Sequence, residues 1–406
     1  MADVTKTSAL IGLVCTACGS QYAADQMHGS CPNCGKVLFC QYDLDSLREQ
    51  LTVAELARRP RGVWRWYELL PLADERDIVT LGEGDTSLLA CDRLSRQLGV
   101  GQLRIKDEGC NPTGSSRARG VAVAVSVARQ YGIAAVSIPS LGNSADAVAA
   151  YAARAGLESY VFVPDVASIT HLATTVAAGA YTYRIKAKEL ENNQQVRAHS
   201  KRFGWFDLSH LREPYRLEGE KTLGYELAEA YNWQLPDALI YPLTSVIGLA
   251  AIWKGWAELE ALGWISSYRP RVFGIQAVGC APLSRAFESG GESSEPWAER
   301  EMETIYNCLH STNPVGSYLA LRLVRESGGQ IITVGDEEIA TSQLDLARCE
   351  GIFASPKGAM ALAGLKRLVS DGLIDGEASV VLVNPASGLK EPQVISLSDL
   401  PPTLSQ

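Results

Sequence analysis

From about Leu81 onward, short β-branched runs alternate with longer alanine-rich stretches whose apolar positions recur at helical spacing. This alternation predicts a parallel sheet with covering helices, an α/β fold class. Ala135 to Pro139, Tyr160 to Val163, Ala238 to Pro242, Val272 to Val278 and Ser379 to Val383 read as strands. Asp146 to Arg154, stopped by Gly156, reads as a helix, as do Lys221 to Tyr231 and Gly358 to Val369. The acidic stretch Ser289 to Glu303 reads as an exposed loop and helix start, and no internal repeat is visible.

Ahead of the alternating region the pattern is different. Leu47 to about Arg76 is charged and aromatic, with Trp64-Arg65-Trp66-Tyr67, and is expected to be a helical connector packed on the main body. Before it stand Cys15-x2-Cys18 and, twelve residues on, Cys31-x2-Cys34, each pair followed by glycine. A Cys-x2-Cys turn aims two thiolates at one ion, and four sulfurs close a tetrahedral site, so Cys15, Cys18, Cys31 and Cys34 are expected to hold a structural zinc. With no open position the ion has no catalytic role. The expected domains are a zinc ribbon over 1–42, the connector over 43–80 and the main fold over 81–406. The scattered cysteines, Cys40, Cys91, Cys110, Cys280, Cys308 and Cys349, read as small hydrophobes in a reducing compartment.

Composition narrows the partners. At 406 residues, 46% hydrophobic and 20% charged, the chain can bury a large two-lobed core. A formal charge of -9, with no basic block, argues against a nucleic-acid or anionic-membrane surface and favours small molecules or proteins. The apolar runs are too short to span a bilayer and no signal peptide is evident behind Lys6, so a cytoplasmic location is expected.

The segment Asn111-Pro112-Thr113-Gly114-Ser115-Ser116-Arg117-Ala118-Arg119-Gly120 carries the candidate chemistry. It resembles the cofactor-anchoring motif of threonine synthases, fold type II pyridoxal-phosphate (PLP) enzymes, in which a lysine stands at the position of Arg117. Other blocks follow the same order: Leu81 to Thr86, Lys106 to Gly109, Leu217 to Thr222, Ile252 to Trp256, Gln276 to Leu283, Glu350 to Phe353 and Ser387 to Lys390. The resemblance thus covers most of the chain. It implies two α/β lobes of the tryptophan synthase β-like architecture with the pocket between them, the smaller lobe from about Arg119 to Trp205. Some threonine synthases also carry an amino-terminal ribbon, and relatives often form homodimers.

The resemblance implies four anchors for PLP, and this chain departs from three. A guanidinium stays protonated and cannot form an imine, so Arg117 cannot replace the lysine. The family's glycine-rich phosphate loop corresponds to Pro242-Leu243-Thr244-Ser245-Val246-Ile247-Gly248, where β-branched Val246 and Ile247 crowd the approach while Thr244, Ser245 and Gly248 still favour an anion. The hydroxyl beside the pyridine nitrogen becomes Pro385, in Pro385-Ala386-Ser387-Gly388. Only Asn143, in Ser140-Leu141-Gly142-Asn143-Ser144, persists, and Gly-Asn also suits an ordinary turn.

On this reading PLP is expected to be absent. Arg117 and Arg119 would form a positive fork for a small anionic metabolite, with Ser115 and Lys106 as further catalytic candidates, Lys106 carrying a proton. Thr113, Ser140, Gly142, Asn143, Thr244, Ser245 and Ser387 are the binding candidates. His28, His171, His199, His210 and His310 fall outside every pocket motif. Three functional readings follow: a repurposed, PLP-independent enzyme of lyase or transferase type; a non-catalytic ligand-binding or partner protein, in which Arg117 is a buried ion pair; and an unusual PLP enzyme that binds the cofactor non-covalently or through another lysine and turns over O-phosphohomoserine.

Overall fold

The computed structural model of the protein describes residues 7–140, 142–165, 167–185 and 189–392; Leu141 and Lys6 lie outside them. A small antiparallel sheet comes first, with β1 (Leu10–Cys15) between β2 (Gln21–Tyr22) and β3 (Leu38–Tyr42). The connector holds α1 (Leu44–Gln50), capped by Asp43, and α2 (Val53–Ala57), whose Thr52 and Glu55 form a reciprocal capping box. A 3-10 segment over Val63–Leu69 then buries Trp66 and Tyr67 against the main body.

The main body opens with β4 (Leu88–Ala90), α3 (Asp92–Leu98) and β5 (Gln102–Asp107). The chain crosses into the smaller lobe through α4 (Arg117–Gln130), β6 (Ala135–Pro139), α5 (Asn143–Ala155), β7 (Glu158–Pro164), α6 (Ile169–Ala177), β8 (Tyr181–Ile185), α7 (Glu189–Phe203) and β9 (Phe206–Asp207). It returns through α8 (Tyr215–Glu220) and α9 (Thr222–Ala230) to β10 (Ala238–Pro242), α10 (Val246–Ala261), β11 (Arg271–Ala277) and α11 (Pro282–Glu288). The last elements are α12 (Ser317–Glu326), β12 (Gln330–Val334), α13 (Asp336–Glu350), α14 (Pro356–Ser370) and β13 (Ser379–Asn384).

Six strands of the larger lobe run in the order β12-β11-β10-β13-β5-β4, parallel except for β4. The smaller lobe holds the parallel sheet β8-β7-β6-β9, which reaches Asp207, just past the expected end at Trp205. Both sheets are covered on both faces, which is why their central strands read as unbroken apolar runs. Along β10, Leu239 and Tyr241 join the cluster with Ile252 and Trp256 of α10, while Ala238 and Ile240 join the opposite cluster with Met360 and Leu362 of α14. The period of two thus feeds two cores at once.

The predicted strands and helices appear within a few residues of their expected limits, and Gly156 ends α5 in the left-handed conformation, φ +72°. β5 was not legible, because Arg104, Lys106 and Asp107 interrupt its apolar pattern. The stretch Ser289 to Glu303 starts no α-helix; it contains only a 3-10 turn over Glu299–Glu301.

The two lobes meet where α4 crosses α8 at unusually close range. A Cβ on Gly219 would lie 2.1 Å from the Arg119 carbonyl oxygen, and one on Gly120 would lie 2.5 Å from that of Arg216. Backbone meets backbone there, so no side-chain rotation can make room. Gly219→Ala is expected to cost about 3 kcal/mol of folding stability, read as a lower urea midpoint; an unchanged midpoint would show that the crossing yields freely.

Candidate functional site

The turn Asn111-Pro112-Thr113-Gly114 leads into the first turn of α4. Gly114 donates its N–H to the Asn111 carbonyl (2.7 Å) and takes φ +67°, which a side chain would resist. The Ser116 N–H donates to the Pro385 carbonyl (2.9 Å), and Lys390 Nζ donates to the Thr113 carbonyl (2.6 Å), so residues 385–390 hold the turn in place. Lys390 also lies 2.6 Å from Asp146 Oδ2, which receives His171 Nδ1 at 2.6 Å, tying the smaller lobe to the same segment. Burial alone would lower the His171 pKa, but Asp146 and the Glu391 carboxylate hold it above its usual value.

Arg117 begins α4 and is only 8% exposed. Its Nη1 donates to both oxygens of Glu220, at 2.6 and 2.8 Å. Burial works against the charge, but Glu220 outweighs it and raises the pKa above the usual arginine value. Gly248, beside this pair, is required on steric grounds: a Cβ there would overlap the Tyr241 hydroxyl at 2.1 Å and approach Glu220 Oε2 at 3.1 Å.

Above the ion pair is a polar cavity of about 10 Å³, room for about one water. Its walls are Ser115, Ser116 and Arg117 from the turn and α4, Asn143 from α5, Tyr241, Pro242, Thr244 and Ser245 from the end of β10, and Lys357 and Pro385 from the carboxyl-terminal part. The helices α4, α5, α10 and α14 all begin at this cavity. The positive dipole ends at those termini favour an anion, although Pro385, Ser140 and Ser355 already accept some of the first N–H groups. The hydroxyl of Ser115, whose residue is 1% exposed, and Asn143 Oδ1 are buried without hydrogen-bond partners among the described residues. As it stands the cavity admits nothing larger than a water.

Of the sequence candidates, Arg117, Ser115, Asn143, Thr244 and Ser245 share this cavity. Lys106 and Arg119 do not. Arg119 is fully buried between Glu108 and Glu226, with charged hydrogen bonds of 2.6 to 2.9 Å, and Lys106 Nζ donates to Glu226 Oε2 (2.7 Å) and the Thr86 carbonyl (2.7 Å). They form a structural network behind the site, so the expected positive fork is not built. Ser140 Oγ accepts the N–H groups of Gly142 and Ala145, and Gly142 packs its backbone on the His171 ring, where a Cβ would come within 2.4 Å. Ser387 Oγ accepts the Leu389 N–H, and the buried Thr113 hydroxyl, without a partner among the described residues, lies outside the cavity lining.

The expected crowding by Val246 and Ile247 is also absent. Both lie in the first turn of α10 and pack into the hydrophobic core, leaving Thr244 and Ser245 at the cavity. Glu220, Tyr241 and Lys357 were not singled out by the sequence reading, and His210, set outside the pocket motifs there, lies near the site. Burial, followed by the charges of Arg216, Arg117 and Lys357, drives the His210 pKa well below its usual value and keeps the ring neutral. Lys357 did leave a signal, since it follows the helix-starting Pro356, and a cation at a helix amino terminus opposes the dipole.

In the amino-terminal segment, the sulfurs of Cys15, Cys18, Cys31 and Cys34 lie within 4.8 Å of one another, an arrangement able to hold a metal ion. Cys110 is exposed, with Sγ 3.4 Å from Asp107 Oδ2, and does not line the cavity. No helix among the described residues is long and apolar enough to cross a membrane.

Two α/β lobes closing on an anion-directed cleft define a cofactor-enzyme scaffold, and residues 79–386 match the family described as pyridoxal-phosphate dependent enzyme. The chain belongs to that family. The threonine synthase of Methanocaldococcus jannaschii is 37% identical over 379 residues, spanning 93% of this chain and 92% of that protein. That of Methanosarcina acetivorans is 36% identical over 384 residues, spanning 94% and 93%. Among solved structures, a pyridoxal 5'-phosphate-dependent aspartate racemase superposes with a TM-score of 0.63 at 19% identity, covering 78% of this chain and 92% of that one. The processed threonine deaminase isoform 2 of Solanum lycopersicum gives 0.63 at 16%, covering 92% and 98%. These last two establish the fold.

Family membership overturns the expectation that PLP is absent. The expectation weighed side-chain replacements, whereas much of the anion-directed character at this cleft comes from backbone helix termini that such replacements leave in place.

Removing one partner of a buried ion pair strands the other charge. Arg117→Ala is therefore expected to lower stability by about 3 kcal/mol, with most of that loss recovered in Arg117→Met/Glu220→Leu. Denaturant unfolding of the two variants decides it; a neutral single substitution would mean the pair holds nothing together.

Proposed function

We propose that the protein is an enzyme of amino-acid metabolism on the PLP scaffold, acting on a small anionic substrate derived from an amino acid. The observation that carries this reading is the cavity: four helix amino termini, the hydroxyls of Ser115, Ser116, Thr244 and Ser245, and the unpartnered Ser115 Oγ and Asn143 Oδ1. This donor set fits a phosphorylated aldehyde cofactor. Thr244, Ser245 and the first turn of α10 would hold its phosphoryl group, and Asn143 a ring hydroxyl. When bound, the cofactor supplies an electron sink for chemistry next to an amino acid's carbonyl. Arg117, charged and paired to Glu220, orients and neutralises negative charge at the cleft floor and is not the attachment point.

The relatives' activity makes O-phosphohomoserine the first substrate to offer. Protein incubated with PLP is expected to be stabilised against heat and to turn over O-phosphohomoserine or a closely related amino-acid anion, scored by product mass spectrometry. A chain that neither binds PLP nor converts any member of such a panel would leave the non-catalytic reading in its place.

In the ribbon, the same reasoning assigns a structural zinc to Cys15, Cys18, Cys31 and Cys34, supported by the clustering of their sulfurs. Purified protein is expected to contain one zinc per chain by atomic emission. Cys18→Ser/Cys34→Ser should lose the metal and melt at lower temperature. Metal-free wild-type protein with unchanged melting would remove the assignment.

A further inference from the structure

The cleft contains an amine at a place no motif assigns. Of the residues that line the cavity, Lys357 alone is a lysine. Other buried lysines near the interior are committed elsewhere. Lys106 serves Thr86 and Glu226, Lys221 and Lys254 serve Glu218 and Glu258, and Lys390 serves Thr113 and Asp146. Lys357 is half-buried, and no hydrogen bond or ion pair engages it among the described residues.

Its surroundings carry both signs of charge: Lys357 helps to keep the Glu391 carboxylate ionised, while a helix dipole and a second cation oppose it. Lys357 occupies the second residue of α14, after Pro356, where the helix dipole opposes a cation. Arg117 lines the same cavity, and both cations act on neutral His210. A solvent-facing lysine could turn away from such a site, but this one borders the cavity into which Ser115, 1% exposed, presents an unpartnered hydroxyl. A local rule broken at a cleft points to use.

We propose that Lys357 is the covalent attachment point for the aldehyde cofactor, in place of the residue at 117. The proposal rests on the reading of the protein as a PLP-scaffold enzyme. In the step, the Lys357 ammonium gives its extra proton to solvent, and the neutral Nζ adds its lone pair to the aldehyde carbon. A carbon–nitrogen double bond replaces the carbon–oxygen double bond, and the oxygen leaves as water with the two remaining amine protons. Nothing is oxidised or reduced. The guanidinium of Arg117 stays on Glu220 and would present fixed positive charge to the same cavity.

The test is covalent labelling of the full-length chain. Protein incubated with PLP is treated with borohydride, digested and mapped by mass spectrometry. The reduced adduct is expected on the peptide bearing Lys357, and Lys357→Met should lose at least nine-tenths of the label while keeping its fold by circular dichroism. Label on a different lysine, or undiminished labelling of Lys357→Met, would overturn the proposal. PLP that raises the melting temperature without leaving any label would also overturn it, while sparing the functional reading. Neither label nor thermal shift would remove both.

Discussion

The arrangement hangs on one buried guanidinium. Arg119 lies fully buried between Glu108, just past β5 of the larger lobe, and Glu226 of α9, and it belongs to the helix that opens the smaller lobe. Glu226 also receives Lys106. Burial disfavours the charge on Glu226, yet the two cations outweigh it and hold its pKa far below the ordinary range. Because paired charges in a low-dielectric interior tolerate little displacement, this network sets where α4 begins. The cleft inherits that placement.

Once α4 is placed, the site follows from geometry. Parallel strands end at one edge of each sheet, and the helices that follow them start there, so several amino termini converge between the lobes. α5 follows β6 and α10 follows β10, while α4 and α14 arrive from turns that both bond the segment after β13, through the Ser116 N–H to Pro385 and the Ser355 N–H to Ala386. The convergence gives the cavity its preference for anions, and Arg117 adds to it without being free, since Glu220 claims its Nη1. A lining made partly of backbone donors also explains why side-chain replacement at Val246, Ile247 and Pro385 is a poor guide to what binds.

Much of this was legible along the chain. Apolar runs such as Ala238 to Pro242 and the glycine after α5 mark elements whose local chemistry agrees with their tertiary use. The order of motifs identified the family, and the spacing of Cys15, Cys18, Cys31 and Cys34 predicted that their sulfurs meet. β5 stayed hidden because its charged residues find buried partners distant in sequence. Lys106 and Arg119 were read as site residues for the same reason. Proximity in a motif looked like proximity in a pocket, although residues two apart at the start of a helix, such as Arg117 and Arg119, face different surroundings.

What the sequence alone determined is the scaffold: periodicity dictates strands and helices, motif order dictates their class, and Arg117 excludes an imine at its own position because a guanidinium does not give up its proton. Only the tertiary structure decided which charges meet. Glu220 reaches Arg117 across 103 positions, Glu226 reaches Arg119 across 107, and Lys357 comes to the cavity from the far end of the chain. Electrostatic partnership depends on distance in space and on exclusion of water, and neither is written in the spacing of residues along a chain.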